Sequence, residues 1–332
     1  ETLLTKWNIY DIIMISDGYA KHIRYGRHSR KEQIMKILCH SRGTQSRDPA
    51  LTKHNGKYYW IYAVDSKLYI MESDSIDGFE TGKGMLVWTP EKEEYAYEVW
   101  APELHVIDGI CYIYVACDDG DNYNHRMYVL SNGSDDPLNT YKMVGKITDP
   151  TDKWAIDGNI LHHRTGMYIV WSGWEGDENL EQNIYIAKLK NPTEIEGERV
   201  LISRPEYDWE KLGGNGIKGG LPFINEGPFA FSESGRTFVA YSGAGSWCTD
   251  YCIGLLEHVG DDPMDALSWR KQPTPVISKN ERFTGMGHCS VIEEDKLIFF
   301  HAWRTNEENI SWDTVYPICA TYHLEDGKLV IC

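Results

Sequence analysis

The sequence predicts an all-β protein: a five-bladed β-propeller built as a single domain. Three observations lead there. A strand, a tight turn and a second strand recur five times. The copies stand roughly 55 to 70 residues apart, near the upper end of propeller-blade lengths. Each copy opens on an acid or an imidazole, as expected of inner strands that converge on one channel.

The chain begins differently from the rest. Residues 1–47 carry nine Lys or Arg against four acids in a protein of net charge −17. Residues 1–45 are therefore read as an N-terminal arm, with a short helix or outer strand over Lys31 to Cys39, and residues 46–332 as the propeller. The first repeat runs from Asp48-Pro49-Ala50-Leu51 through Asn55-Gly56 into Tyr58 to Tyr62, with Leu68 to Met71 as a third strand. The second runs from Pro102-Glu103-Leu104-His105 through Asp108-Gly109 into Cys111 to Val115, then Met127 to Leu130. The third starts at Asp157-Gly158-Asn159-Ile160, turns at Thr165-Gly166 and continues as Met167 to Trp171, then Ile184 to Ala187.

The fourth is Asn225-Glu226-Gly227-Pro228 to Phe231, a turn at Ser234-Gly235, Thr237 to Ser242, then Tyr251 to Leu256. The fifth, from Gly287-His288-Cys289, is expected to turn at Glu294-Asp295 into Leu297 to His301. Asn-Gly, Asp-Gly and Ser-Gly supply the positive φ that two-residue hairpin turns require. Gly213 to Gly220 resembles a phosphate loop only superficially, because no Lys-Ser or Lys-Thr opens a helix after it; it is read as a loop near the channel mouth. A strand from one terminus is expected to join the strands of the other, since an open edge invites aggregation.

Composition narrows the function. A net charge of −17 argues against nucleic acid, which needs a basic face. No apolar run approaches the ~18 to 20 residues of a membrane helix. Twelve Trp and twenty-one Tyr supply flat faces with a polar handle, the surface that stacks on sugar rings. Trp100, Trp171, Trp174 and Trp247 are candidates for sugar-site walls, Trp100 foremost because it adjoins the second inner strand. The eight cysteines sit mostly in strand-like runs and read as small hydrophobes rather than a disulfide framework. Asn132-Gly133-Ser134 and Asn309-Ile310-Ser311 are glycosylation sequons.

The repeats bring Asp48, Glu103, Asp157, Glu226 and His288 toward the channel. Carboxylates gathered in that way suit glycoside hydrolysis, which needs one acid to protonate the leaving oxygen and a carboxylate on the opposite face of the sugar. A third acid keeps the donor protonated, because a neighbouring like charge raises a carboxyl pKa. Glu103 has a different offset from its Pro and reads equally well as a hydrogen-bonding link to a neighbouring blade.

Arg47-Asp48-Pro49, Trp100-Ala101-Pro102-Glu103, Ile156-Asp157-Gly158 and Asn225-Glu226-Gly227-Pro228 resemble the motifs of glycoside hydrolase family 43 over about residues 46 to 325. Leu201 to Glu210 ahead of Glu226, together with Gly287-His288, is similar to the exo-acting α-1,5-L-arabinofuranosidases. The resemblance implies an inverting enzyme that removes terminal arabinofuranosyl residues from arabinan or arabino-oligosaccharides, with Asp48 as base, Asp157 as modulator and Glu226 as acid. It implies that Trp100, Glu103 and Arg304 contact substrate, although Trp303 looks like a one-residue insertion beside Arg304. It matches His288 to an axial histidine that faces a calcium or sodium ion largely through water, with no cofactor needed for the chemistry. A secreted, monomeric protein is expected, without nucleic-acid or membrane partners. The alternatives are a β-xylosidase, an endo-arabinanase, or a carbohydrate-binding propeller without turnover.

Overall fold

The structure, a computed structural model, describes residues 35–40, 44–213, 221–325 and 328–331. Most of the expected arm and the glycine-rich stretch from residue 214 to 220 lie outside the described residues. The described residues are all-β, with only short 3-10 turns between strands.

A two-residue strand, β1 (Lys36–Ile37), precedes five antiparallel meanders. The first is β2 (Ala50–His54), β3 (Lys57–Val64), β4 (Lys67–Ser73) and β5 (Met85–Trp88). The second is β6 (Tyr97–Ile107), β7 (Ile110–Asp118), β8 (Arg126–Ser131) and β9 (Lys142–Lys146). The third is β10 (Ala155–His163), β11 (Gly166–Gly173), β12 (Glu181–Asn191) and β13 (Glu194–Ser203). The fourth is β14 (Phe223–Glu233), β15 (Arg236–Gly243), β16 (Cys252–His258) and β17 (Trp269–Lys271). The fifth is β18 (Phe283–Ile292), β19 (Leu297–Arg304), β20 (Tyr316–Glu325) and β21 (Lys328–Ile331).

Hydrogen bonding groups these strands into four sheets rather than five. Glu181 and Gln182 of β12 pair in parallel with Phe223 and Ile224 of β14, which fuses the third and fourth meanders. β1 pairs with β20, so a segment of the expected arm borders the C-terminal sheet.

Turn chemistry explains the hairpins. Asn55-Gly56, Asp108-Gly109 and Ser234-Gly235 all hold positive φ at both central residues, the two-residue geometry whose twist matches the flanking strands. The fifth hairpin differs from expectation. Its turn spans four residues, Glu293 to Lys296, two more than Glu294-Asp295, between the paired Ile292 and Leu297; Lys296 takes φ 54° and donates its N–H to the Glu293 carbonyl.

Consecutive meanders pack face to face, because strands apolar on both sides need cover on both sides. Ile61 and Leu68 cluster with Ile113 and Val115; Tyr114 and Val129 with Ile169 and Trp171; Val170 and Ile186 with Val239 and Tyr241. Phe238 and Leu255 cluster with Met286 and Phe300. The last cluster returns to the beginning, joining Trp60 and Met71 of the first meander to Phe299 and Cys319 of the fifth, with Leu38 and Cys39 beside them.

The first strands of the meanders also follow one another in cyclic order, with β18 packed against β2. Hydrogen bonds run between neighbouring meanders in the same order. Thr52 Oγ1 donates to the Leu104 carbonyl at 2.6 Å, Asn159 Nδ2 to Glu103, and the Ala230 N–H to Asn159 Oδ1 at 2.8 Å. The His288 N–H donates to Ser242 Oγ at 2.7 Å, and Ser290 Oγ donates to the Pro49 carbonyl at 2.6 Å. Among the described residues seven cysteines are free thiols, and no helix is long and apolar enough to cross a membrane.

Candidate active site

A bulge repeated at one place in the first strands aims the site residues. Register shifts fall between Trp100 and Glu103, Ile156 and Asn159, Glu226 and Phe229, and Gly287 and Ser290. In each, the first residue after the shift has positive φ: Ala101 42°, Asp157 59°, Gly227 54°, His288 50°. Asp48, just ahead of β2, takes φ 45° in the same way. A bulge turns a side chain out of the regular alternation and is a common device beside active sites. The left-handed conformation costs a non-glycine residue roughly 1–2 kcal/mol, and the surrounding packing must offset it.

These turns deliver side chains to one cavity of about 490 Å³, within the size range of small-molecule sites. Asp48, Asp157, Glu226, His288 and Trp100 line it together. Two other expected contacts do not. Glu103 lies two residues past the position that Ala101 takes in the second meander; it is buried, and its Oε2 faces His105 Nε2 at 3.1 Å and accepts from Asn159. It links the second meander to the third. Arg304 is exposed at the end of β19, with its guanidinium over Tyr316 at 5.1 Å and bordering a separate depression with Ile37 and Phe283. Its neighbour Trp303 is buried, and side chains alternate along a strand, so Arg304 lies on the opposite, exposed side of β19.

The acids sit in opposed electrostatic settings. Burial pushes the Glu226 carboxyl up to about 8, and the adjacent Asp157 charge adds to the rise. Burial also raises Asp157, to about 6, with Asp48 and Glu103 contributing. Burial acts upward on Asp48 as well, but His288 and His301 outweigh it and hold that carboxyl well below the usual range. Both imidazole Nδ1 atoms lie 3.3 Å from Asp48 Oδ1. At neutral pH one carboxyl is therefore protonated and another is firmly ionised in the same cavity.

Each acid is held in place. Tyr251 donates its hydroxyl to Glu226 Oε1 at 2.8 Å. The Gly227 N–H donates to Asp157 Oδ2 at 2.9 Å, which ties the third meander to the fourth. Behind Glu226, the buried Glu210 accepts from Asn225, Tyr241 and Lys271, and from the N–H groups of Glu206 and Tyr207. That many donors satisfy a buried carboxylate, and they anchor the backbone that carries Glu226.

His288 is drawn into this set. Burial opposes its charge, but Asp48, Asp157, Glu226 and Glu103 raise its pKa. Its Nδ1 faces Asp48 Oδ1 at 3.3 Å. Among the described residues no group of three or more His, Cys, Asp or Glu side chains is disposed to hold a metal directly.

Trp100 forms a wall, stacked on His125 at 4.3 Å with its Nε1–H donating to Glu98. Trp247 also lines the cavity, whereas Trp171 and Trp174 are core residues, stacked on Tyr185 and Trp154. Sequence reasoning missed Tyr251 and His301, which look like ordinary strand residues. It also missed Tyr62, Trp312 and Asn179 on the lining. The Asn179 Oδ1 has no protein hydrogen-bond partner, which leaves an acceptor for a ligand hydroxyl.

The profile of glycosyl hydrolases family 43 matches residues 43–318. The chain belongs to this family. A family 43 chain with these carboxyls is a glycosidase. It is 30% identical over 278 residues to the extracellular exo-alpha-(1->5)-L-arabinofuranosidase of Streptomyces chartreusis, covering 79% of this chain and 81% of that one. It is 32% identical over 276 residues to alpha-L-arabinofuranosidase B of Pyricularia oryzae, covering 78% of this chain but only 54% of that longer relative. The crystal structure of an alpha-L-arabinofuranosidase from Lactobacillus brevis superposes with a TM-score of 0.77 at 26% identity, over 90% of this chain and 95% of that one.

Proposed function

We propose that this family 43 glycosidase is an inverting exo-α-1,5-L-arabinofuranosidase acting on arabinan or arabino-oligosaccharides, on a five-bladed propeller whose blades are the five meanders. Cyclic packing of the first strands and of the inter-meander clusters supports the propeller. The names of the relatives support the substrate.

One observation carries the mechanism: Glu226 and Asp48 are pushed in opposite directions within one cavity. Glu226, still protonated at neutral pH, gives its proton to the glycosidic oxygen. Asp48, kept ionised by His288 and His301, takes a proton from the water that attacks the anomeric carbon from the other face. Asp157 holds the Glu226 proton in place by its charge and is itself fixed by the Gly227 N–H. Trp100 gives the sugar a flat apolar wall. The reaction needs no cofactor.

The test uses two leaving groups. On arabinan, Glu226→Gln and Asp48→Asn should each lower kcat by roughly 10²- to 10⁴-fold, the usual contribution of a positioned acid or base. On p-nitrophenyl α-L-arabinofuranoside the aryl oxide leaves without much help, so Glu226→Gln loses far less and Asp48→Asn loses as much as before. Proton NMR of the first-formed arabinose should show the inverted anomer. Equal losses for Glu226→Gln on both substrates, a retained anomer, or a wild type inactive on every arabinoside would each overturn the reading.

A further inference from the structure

In the second meander two fully buried titratable groups meet that the mechanism does not use. The last ladder pair of β7 and β8 is Cys117 with Arg126, and Asp118 and His125 face each other just beyond it. Both side chains are 0% exposed, and Asp118 Oδ2 lies 3.1 Å from His125 Nδ1. The His125 ring is stacked on Trp100, with centroids 4.3 Å and planes 28° apart. We infer that His125, held by Asp118, is a positioning residue for substrate: it sets the plane of the Trp100 wall against which the terminal sugar packs. The inference rests on the sugar-wall role given to Trp100 above.

Trp100 needs such support. Its pairing with Ala116 stands alone between two register shifts in β6, and Glu98 and Ala101 on either side of it both take φ 42°. Strand pairing fixes the direction of a side chain only where the alternation is regular. The indole is held by its own contacts instead, the Nε1–H donating to the exposed Glu98 at 2.9 Å and one face resting on the imidazole. His125 also meets Trp154, with centroids 6.1 Å apart, and Trp100 and Trp154 both line the cavity. One buried ring therefore backs two of the cavity's tryptophans.

The chemistry of the pair suits positioning better than stability. Burial holds the imidazole pKa down to about 4, against the Glu98 charge and the Glu98 and Ala116 backbones, so the ring that stacks on Trp100 is neutral. Neither ring nitrogen makes a well-aligned hydrogen bond among the described residues. A phenyl ring would fill the same space without burying those polar atoms. What the polar pair adds is an orientation. Turning the ring over takes Nδ1 away from Asp118 Oδ2, and the Asp118 carboxyl is itself pinned by the Gly120 N–H, which donates to Oδ1 at 2.9 Å.

His125→Asn removes the ring behind Trp100 but leaves an amide beside Asp118. We measure kcat and KM on arabino-oligosaccharides for wild type, His125→Asn, Trp100→Ala and the double variant. His125→Asn should raise KM by roughly three- to tenfold, the scale of one aromatic contact, with kcat within about twofold of wild type. Because His125 acts through Trp100, the double variant should match Trp100→Ala rather than add to it. Asp118→Leu should raise KM in the same direction, and Asp118→Asn should recover most of that rise, since Nδ1 of a neutral imidazole can accept from an amide or donate to a carboxyl oxygen. Leu and Asn are close to Asp in size, so this comparison decides the matter if His125→Asn does not fold. A folded His125→Asn with wild-type KM, a double variant whose KM rise is the product of the two single ones, or equal KM for Asp118→Leu and Asp118→Asn would each overturn the inference. A wild type that cleaves another pentoside and no arabinoside overturns the arabinan reading instead, and the same cycle run on that pentoside still tests His125.

Discussion

Glu226 and Asp48 are the same kind of group with opposite linkage to folding. Glu226 has its folded pKa raised to about 8 from the ordinary 4.5. It binds its proton more tightly when folded, so its contribution to stability is complete below the ordinary value and is lost as pH rises toward the folded one. Asp48, held down by His288 and His301 against the effect of burial, contributes stability above the ordinary carboxylate pKa and loses it in acid. Glu226→Gln should therefore raise Tm relative to wild type by at least about 2–4 °C at pH 8, with the difference shrinking toward pH 4. Asp48→Asn should do the reverse at neutral pH. Thermal unfolding scanned from pH 4 to 8 measures both, and parallel Tm profiles for Glu226→Gln and wild type would remove the basis for a protonated Glu226. The acids themselves were legible because each stands in phase with a recurring strand. Their pKa values were not, since the histidines that depress Asp48 come from β18 and β19, about 240 and 250 residues further on.

At the level of single strands, the bulge is what makes a site out of a repeat. Register shifts after Trp100, Ile156, Glu226 and Gly287 each break the period-two alternation, and periodicity alone cannot show that. Glu103 was misplaced for this reason: the bulge position in its strand belongs to Ala101, and two residues on, Glu103 faces Asn159. Gly227 is a demanding bulge residue, with φ 54° and a Cβ that would lie only 3.1 Å from the His288 ring. Gly227→Ala should cost about 1–3 kcal/mol, read from urea unfolding, and should lower kcat as well, because the added Cβ pushes against the His288 ring and shifts the N–H that holds Asp157. A variant with wild-type stability and kcat would show that the left-handed turn is not what aims the acids. Hairpin turns were easier to foresee, since Asn-Gly, Asp-Gly and Ser-Gly encode their own geometry.

Across the whole molecule, stability depends on the first and last meanders meeting. Leu38 and Cys39 are buried beside Trp60, Phe299 and Cys319, and β1 extends the edge of β20. Removing residues 1–40 should expose that cluster and destabilise the protein by about 2–5 kcal/mol, the scale of a large core truncation, visible as a lower urea midpoint. An unchanged midpoint would mean that the N-terminal strand is dispensable. The pairing of a terminal strand with the opposite end was expected from the cost of an open edge; the partner, β20, could not be named, because strand choice depends on which faces the packed sheets leave exposed. Local chemistry in the chain was enough for the strands, the turns and the acidic residues, since hydrogen-bonding and φ preferences act between near neighbours. Which acid holds a proton, which tryptophan is a wall and which arginine turns away arise from contacts between distant segments, and burial and charge have no values until those segments meet.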